Sequence, residues 1–432
     1  MADSSLKTLT LGCKVNQYET EFVRQGLVDS GFRDASEEEA ADLCIVNTCT
    51  VTNEGDSKSR QAIRRMAKHN PDARIVVMGC YATRAPEEVS ELPGVVEVVT
   101  DKRELPDLLG RFGVTDIPNG ISTFGDRHRA YVKVQDGCLL RCSYCIIPKV
   151  RPEMHSRPMP EIIDEVRRLV ENGYREIVLT GIHLGHYGVD WNWNRPRDEW
   201  TRLSTLLRAL LEIDAEFRIR LSSIEATEVT RELLDLMAAN RDRICPHLHI
   251  CLQSGSDAVL RRMKRRWGSK RFIDRCQMAK DRLDQPAITT DIIVGFPGET
   301  DEEFEQSCEV ARIVGFSKIH VFPFSPRRGT PAADREPKIS KKVKSERNHI
   351  LSEIEADMRR AYFSNLIGKP LEMLVEANDS KGQLLGTACR YAPLELAQSN
   401  LEISTGQLVP VIAQQVNPDG RIVVTRDANR DS

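Results

Sequence analysis

Six of the twelve cysteines in this 432-residue chain form two sets of three, built in opposite ways. Cys138, Cys142 and Cys145 are compact, in the stretch CLLRCSYC with C-x3-C-x2-C spacing. Cys13, Cys49 and Cys80 are spread over the first eighty residues, each just after a short apolar run. The spread set constrains the fold more. Three thiols that far apart can act together only if the fold returns the chain to one edge after each run.

The pattern around them supplies such a fold. Leu6–Leu11, Leu43–Thr48, Arg74–Gly79 and Val95–Val99 are short runs rich in β-branched residues. Between them, Tyr18–Ser30, Asp56–His69 and Arg84–Leu92 read as helices, the first with an apolar face at Phe22, Val23 and Leu27. Strands alternating with helices make a parallel sheet covered by helices. In open parallel sheets the functional crevice lies outside the carboxyl ends of the strands. Cys13, Cys49 and Cys80 follow the first, second and third strands, so all three belong at that edge. Cys44 opens the strand that precedes Cys49. Five residues of strand span roughly 17 Å, which puts Cys44 at the far edge as a core thiol.

Residues 111–127 read as a linker. Six strand candidates follow: Ala130–Gln135, Glu176–Thr180, Arg218–Ser222, His247–Leu252, Ile288–Val294 and Lys318–Phe324. Helical segments lie between them, including Pro160–Asn172, Arg202–Ile213, Thr230–Ala239 and Asp301–Val314. Six βα units suggest an open (β/α)6 partial barrel, with the CLLRCSYC loop at a strand's carboxyl end. Residues 335–368 are charged and helical in pattern. Beyond Lys369–Pro370, Leu371–Ala377, Leu384–Tyr391, Gln407–Val416 and Arg421–Thr425 are strand-like, broken by NDSKG and NPDG turns. They fit a small β-barrel of about 60 residues, a type that holds oligonucleotides. The fold class expected is therefore α/β, with domains at 4–112, 124–360 and 366–430.

A formal net charge of −3 gives no global pull toward nucleic acid, so any such binding must use local basic patches. RRMKRRWGSKR (Arg261–Arg271) and the lysines at 338–344 are the candidates, each equally readable as a solvated face. No apolar run approaches the about 18 residues of a membrane span, and the first residues lack the layout of a secretory signal. Cysteines in such a chain favour metal ligation or buried thiols over disulfides.

Thiolates suit iron–sulfur clusters. Three sulfurs on one loop leave one iron of a cubane without a protein ligand, and the compact set has that layout. A structural zinc site would call for a fourth ligand. For the spread set, spacing alone leaves ligation and buried structural cysteines both open. Cys245, Cys251, Cys276, Cys308 and Cys389 lack ligand spacing and read as structural. His247 and His249 alternate along one strand and read as core or pocket packing.

The C-x3-C-x2-C loop resembles that of the radical SAM superfamily. With LGCKVNQYE, VNTCTVTNEG and MGCYATR around the spread cysteines, the chain over about residues 6–430 closely resembles the methylthiotransferase family. Further segments carry the likeness: LTGIHLGHYGVD (179–190), RLSSIEATEV (220–229), HLHICLQSGSDAVLRRMKRR (247–266), TDIIVGFPGET (290–300) and FSPRRGTPA (324–332). The carboxyl-terminal strands resemble the TRAM domain, an RNA-binding module, with GTACRYAPLEL (386–396) at its glycine-and-tyrosine strand.

The resemblance implies two 4Fe–4S clusters, one on Cys138, Cys142 and Cys145 and an auxiliary one on Cys13, Cys49 and Cys80. It implies S-adenosylmethionine as both radical source and methyl donor, with contacts from Tyr144, Thr180, Gly181, Ser223, Glu225, Gln253, Ser254, Asp291 and Arg327. GCKVNQYE and QDGC are most like the branch that methylthiolates C2 of N6-threonylcarbamoyladenosine at position 37 of tRNA. Branches acting on isopentenyl-adenosine or on a ribosomal-protein side chain share the layout. A non-catalytic iron–sulfur RNA-binding sensor would not need the cofactor-pocket motifs. Implied partners are a tRNA anticodon stem-loop, an external electron donor and a sulfur source, with neither DNA nor a membrane, in the cytoplasm. One segment departs from the family: after Cys145 it has Pro152 for a glycine and His155 for an arginine, while Arg151 and Arg157 remain. Proline fixes φ and removes a donor, so this loop, where substrate contacts are expected, must be shaped differently.

Overall fold

The computed structural model describes residues 4–125, 127–380, 382–397 and 403–427. It divides into two compact units. The first comprises Met1–Gly125, Tyr131–Leu169 and Ser325–Asp334; the second comprises Asp126–Ala130, Val170–Phe324 and Arg335–Ser432.

The first unit opens with β1 (Ser5–Thr10), α1 (Lys14–Asp29), β2 (Arg33–Asp34), β3 (Leu43–Thr48), α2 (Asn53–His69), β4 (Arg74–Gly79), α3 (Cys80–Arg84), α4 (Pro86–Ser90), β5 (Val95–Val98) and α5 (Leu105–Arg111). The strands form a parallel sheet in the order β2-β1-β3-β4-β5. Every residue of β3 is buried, as expected of a central strand with both faces covered. One face packs Val23, Leu27 and Leu108 against Ile45 and Val76; the other packs Ile63, Tyr81 and Val89 against Cys44, Val46 and Val77. Cys44 is therefore a core thiol, pushed up to about 11 by burial. The helix expected over Arg84–Leu92 is instead two short ones. Pro86 cannot donate a backbone hydrogen bond, so a helix from Cys80 stops before it and a new one starts on it.

The same unit contains most of β6 (Arg129–Asp136), then α6 (Ile147–Val150), β7 (His155–Ser156) and α7 (Met159–Glu171). β6 and β7 pair antiparallel, Gln135 with Ser156 and Asp136 with His155.

The second unit runs through β8 (Glu176–Gly181), α8 (Leu203–Leu211), β9 (Arg218–Leu221), β10 (Ser223–Ile224), α9 (Arg231–Ala239), β11 (His247–Ile250), α10 (Asp257–Arg262), α11 (Ser269–Arg282), β12 (Ala287–Val294), α12 (Asp301–Val314) and β13 (Lys318–Pro323). β8 pairs parallel with β9, and β10-β11-β12-β13 form a parallel sheet. A long α13 (Lys341–Asn365) leads to β14 (Pro370–Asn378), β15 (Leu384–Ala388), β16 (Pro393–Leu396), β17 (Leu408–Val416) and β18 (Ile422–Arg426). These close into a barrel in the order β14-β15-β16-β18-β17. Its core holds Leu371, Met373, Leu394, Val411 and Val424. Lys381, in the NDSKG turn, lies outside the described residues.

The strand expected over Leu384–Tyr391 ends at Ala388, because Tyr391 turns the chain at φ +61° before β16 begins. Buried Arg218 and Arg220 on β9 flank Glu176 of β8 and donate to barrel carbonyls of Glu372, Thr387, Ala388 and Cys389. Fully desolvated Glu176 would resist ionisation; the two guanidiniums outweigh that and hold it well below the usual carboxylate range. No helix among the described residues is long and apolar enough to cross a membrane.

Candidate active site

All six cysteines of the two triads lie in the first unit. Cys13 caps the start of α1, Cys49 follows β3, and Cys80 is the first residue of α3. Two of the three thus stand at helix N-termini, where backbone N–H groups favour a thiolate. The three converge. A Cβ on Gly12, the neighbour of Cys13, would lie 3.2 Å from the Cys49 sulfur. Burial pushes the Cys49 thiol up to about 11; the Val51 amide opposes this, and the nearby sulfurs of Cys80 and Cys13 add to it. The Cys13 thiol opens to solvent on one side. Desolvation on its other sides raises it, Arg151 pulls it down, and Cys80 raises it again.

Two glycines make these exits possible. Gly79 turns at φ +98°, and a Cβ there would meet Asn47 Oδ1 at 2.3 Å and Thr48 O at 2.4 Å. Gly137, before Cys138, turns at φ +73°, and a Cβ would meet Glu153 O at 1.8 Å. The Gln135 amide donates to the carbonyls of Asp136 (2.6 Å) and Gly137 (2.8 Å), which fixes the exit from β6. Within the compact triad the Cys145 amide donates to the Cys142 carbonyl at 3.1 Å, and the Ala332 amide donates to Ser143 O at 2.8 Å.

The triads are knitted together. Cys80 packs against Ile146 and Val150 of the segment that leaves Cys145. Arg151 follows. Its guanidinium donates to Glu19 (2.8 Å), to Asp136 (2.7 Å) and to Asn16 Oδ1 (3.0 Å), while Lys133 bridges Glu19 and Asp136 at 2.7 and 2.6 Å. Asn16 donates onward to Leu11 O (2.9 Å) and Thr48 O (3.0 Å), the carbonyls just ahead of the Cys13 and Cys49 loops. Burial works against charge on Glu19 and Asp136, yet Arg151 and Lys133 hold both below the ordinary carboxylate range. Lys102 reaches Gly79 O (3.1 Å) and Thr83 beside Cys80. Arg157 donates to Glu165 (2.6 Å) and Tyr18 (3.0 Å). The two arginines of the departing segment are therefore internal braces rather than presented contacts. Pro152 and His155 line a cavity of about 630 Å³ beside them, with Lys102, Arg103 and Lys149.

The expected cofactor-pocket residues divide. Thr180 and Gly181 end β8, Ser223 opens β10, Gln253 bridges to Ile292 at φ +70°, and Asp291 lies on β12, where His249 is 3.2 Å away. All of these belong to the second unit. Glu225 accepts from Arg265 and from the Trp267 indole (3.1 Å), so Arg265 of the basic stretch faces inward, as does Arg262 on Glu303. Ser254 is fully buried and meets Ser307 Oγ (3.4 Å) and the Ser256 amide (3.2 Å). Tyr144 sits half-buried in the compact loop. Arg327, expected with them, has its guanidinium on Asp56, Thr50 and Asn53 (2.8 Å to Asn53), bracing the Cys49 loop, with Arg84 on the same Asp56 at 2.7 Å. Cys251 lies with His249 and Asp291 within one small cluster, whereas Cys245 and Cys276 are buried thiols pushed up to about 12 by desolvation.

Sequence reasoning missed Asn16, Glu19 and Asp56 as organisers. The signal was present: polar residues next to the first two cysteines that turn out buried. The donor set fits iron–sulfur ligation. Among the described residues no disulfide ties up any of the twelve cysteines, and the spread three lie near enough to influence one another electrostatically, with Arg151 and Lys102 close by.

Residues 6–101 match the family described as uncharacterized protein family UPF0004, and residues 132–311 match the radical SAM superfamily. The chain is 41% identical over 385 residues to the threonylcarbamoyladenosine tRNA methylthiotransferase MtaB of Bacillus subtilis, covering 85% of this chain and 84% of that one. With MtaB of Thermotoga maritima it shares 38% over 431 residues, 97% of this chain and 96% of the relative. It is 35% identical over 399 residues to the tRNA-2-methylthio-N(6)-dimethylallyladenosine synthase of Corynebacterium jeikeium, covering 88% and 78%. Among solved structures, the radical S-adenosylmethionine methyltransferase TsrM from Kitasatospora setae, with cobalamin and a [4Fe-4S] cluster bound, aligns at TM-score 0.53 and 16% identity over 77% of each chain, a likeness of fold alone. On the strength of its curated relatives, the chain belongs to the radical SAM methylthiotransferase family, with the MtaB proteins.

Proposed function

We propose that the chain methylthiolates C2 of N6-threonylcarbamoyladenosine at position 37 of tRNA. What carries the reading is the convergence of both cysteine triads in one unit, together with 38% identity to an MtaB over 97% of the chain. Cys138, Cys142 and Cys145 would hold one 4Fe–4S cluster and Cys13, Cys49 and Cys80 a second. When bound, these clusters with S-adenosylmethionine supply reductive cleavage to a hydrogen-abstracting radical and the delivery of methylated sulfur.

The chain's own residues supply placement. Gly79 and Gly137 let the chain turn tightly ahead of Cys80 and Cys138. Arg151, through Asn16, Glu19 and Asp136, ties the segment after the compact triad to the loops of the spread one. That brace keeps two separately built cradles in fixed register, which positioned chemistry requires. Thr180, Gly181, Ser223, Glu225, Gln253 and Asp291, at or near strand exits, would contact S-adenosylmethionine, as would Tyr144 in the compact loop; Ser254, fully buried against Ser307, would support the Gln253 turn from behind. Arg327 acts by positioning the Cys49 loop. Residues 4–112, 124–360 and 366–430 serve as auxiliary-cluster, radical and RNA-binding regions. The substrate element is the anticodon stem-loop, the electron donor and sulfur source are external, and the setting is the cytoplasm.

The test is nucleoside analysis of tRNA from a strain lacking the activity and expressing this chain. Appearance of 2-methylthio-N6-threonylcarbamoyladenosine is expected. Methylthiolation of dimethylallyladenosine alone, or of a ribosomal protein alone, would overturn the substrate assignment.

A further inference from the structure

The connection from β8 to α8 is long and carries the sequence WNWNRPRDEWTR over Trp191–Arg202. Its only regular structure among the described residues is two single 3-10 turns, Leu184–His186 and Arg197–Glu199, and connections this long with so little secondary structure are commonly functional. This one is built firmly. Buried Asn192 closes it with a reciprocal pair of hydrogen bonds to Thr201, 2.8 and 2.9 Å. Trp191 packs edge-on against buried Tyr187 with ring centroids 5.3 Å apart, and the Trp200 indole donates to Arg195 O at 3.0 Å. On this base Trp193 is 83% exposed.

Trp193 stands at the rim of a cavity of about 360 Å³, walled by Tyr187, Trp200 and Leu233. The guanidiniums of Arg197 and Arg202 lie 5.7 and 5.3 Å from the Trp200 ring centroid. Among the described residues, Arg195, Arg197 and Arg202 form no ion pair. Asp198 and Glu199 on the same loop offset two of those charges, so recognition here rests on stacking rather than on net charge.

We infer that this loop is a stacking platform for an unpaired nucleobase, with Trp193 as its principal face. An exposed indole at the edge of an aromatic-lined cavity, whose neighbour Trp200 carries two guanidinium planes, has the chemistry that holds splayed single-stranded bases. A protein partner would call for a wide contiguous apolar patch; among the described residues lining this cavity, only Val189 joins Trp193 as a large exposed apolar side chain, and residues 194–199 that follow Trp193 are polar or proline. The loop also leaves the carboxyl end of β8, the edge at which parallel sheets place their ligands. The inference rests on the tRNA reading above and names a contact within it: a base of the anticodon loop.

The test uses the full chain carrying its clusters, with Trp193→Ala and Trp193→Phe variants. The probe is an anticodon stem-loop RNA bearing N6-threonylcarbamoyladenosine, beside the same RNA closed into a duplex by a complementary strand. Trp193→Ala should weaken stem-loop binding by about ten-fold or more, as loss of one stacked base does. Trp193→Phe should stay within about three-fold of wild type. The dependence of binding on salt should be the same in all three proteins, because no phosphate contact is removed. 5′-Deoxyadenosine formation without RNA should be unchanged. Equal affinity of Trp193→Ala and wild type would overturn the inference while leaving the tRNA reading intact. So would an equal loss of affinity on the stem-loop and on the duplex, which would show that the ring does not read an unpaired base. A wild-type chain that neither binds nor modifies the stem-loop would instead overturn the tRNA reading itself.

Discussion

Arg151 has 2% side-chain exposure and donates to Glu19, Asp136 and Asn16 from one guanidinium. A buried pair adds little over a well-packed apolar pair, but removing one partner leaves an uncompensated charge. Arg151→Met should therefore cost about 3–5 kcal/mol, read as a lowered urea midpoint. Arg151→Lys should recover only part of it, since an ammonium cannot serve three acceptors in a plane. The pH dependence follows from the sign of the shifts. Glu19 and Asp136 are held below their ordinary values in the folded chain, so their stabilisation is complete above about pH 5.5, begins to fall as pH drops through the ordinary carboxylate values, and is lost once pH falls through the folded ones. Urea midpoints that fell between pH 8 and about 5.5 from this cluster would contradict that. Arg151 is plain in the sequence, but its role is not. An arginine near a cysteine loop reads as a substrate contact until the fold places Glu19, more than a hundred residues earlier, against it.

At the scale of elements, the strand-to-helix exits do the organising. Gly79 joins β4 to α3 with no room for a side chain. Gly79→Ala should lose more than the ~1–2 kcal/mol that left-handed backbone costs alone, because Asn47 and Thr48 must also move. Iron bound at the spread triad should fall while the compact triad keeps its own. Arg327→Ala should loosen the loop after Cys49 by about 1–3 kcal/mol, seen as faster amide exchange over residues 49–56; unchanged exchange there would refute the brace. The longer strands, β15 apart, were readable in advance to within a residue or two, since β-branched runs and their alternation with helices set them locally; the short β2, β7, β10 and β16 were not, because two to four residues carry no period. The double helix at 80–90 and the early end of β15 were not. A proline inside an apolar pattern and a left-handed Tyr391 act through backbone conformation, which hydrophobic period does not report.

Across the whole molecule, the spread and compact triads belong to one compact unit, although the sequence divides them between separate stretches. Topology alone brings Ser325–Asp334 into that unit, and no local pattern announces it. Period and turns announce a small barrel at the carboxyl end, but one of its five strands, β16, and its strand order come from the fold, and its anchoring through Arg218 and Arg220 depends on a buried Glu176 that sequence gives no reason to single out. The central claim is that the six cysteines make two cluster sites. Iron and sulfide analysis of anaerobically reconstituted wild type beside a Cys13→Ala, Cys49→Ala, Cys80→Ala triple variant tests it most directly. The account predicts that the variant retains roughly half of the wild-type iron and sulfide, held by the compact triad; a full wild-type complement in the variant would contradict it.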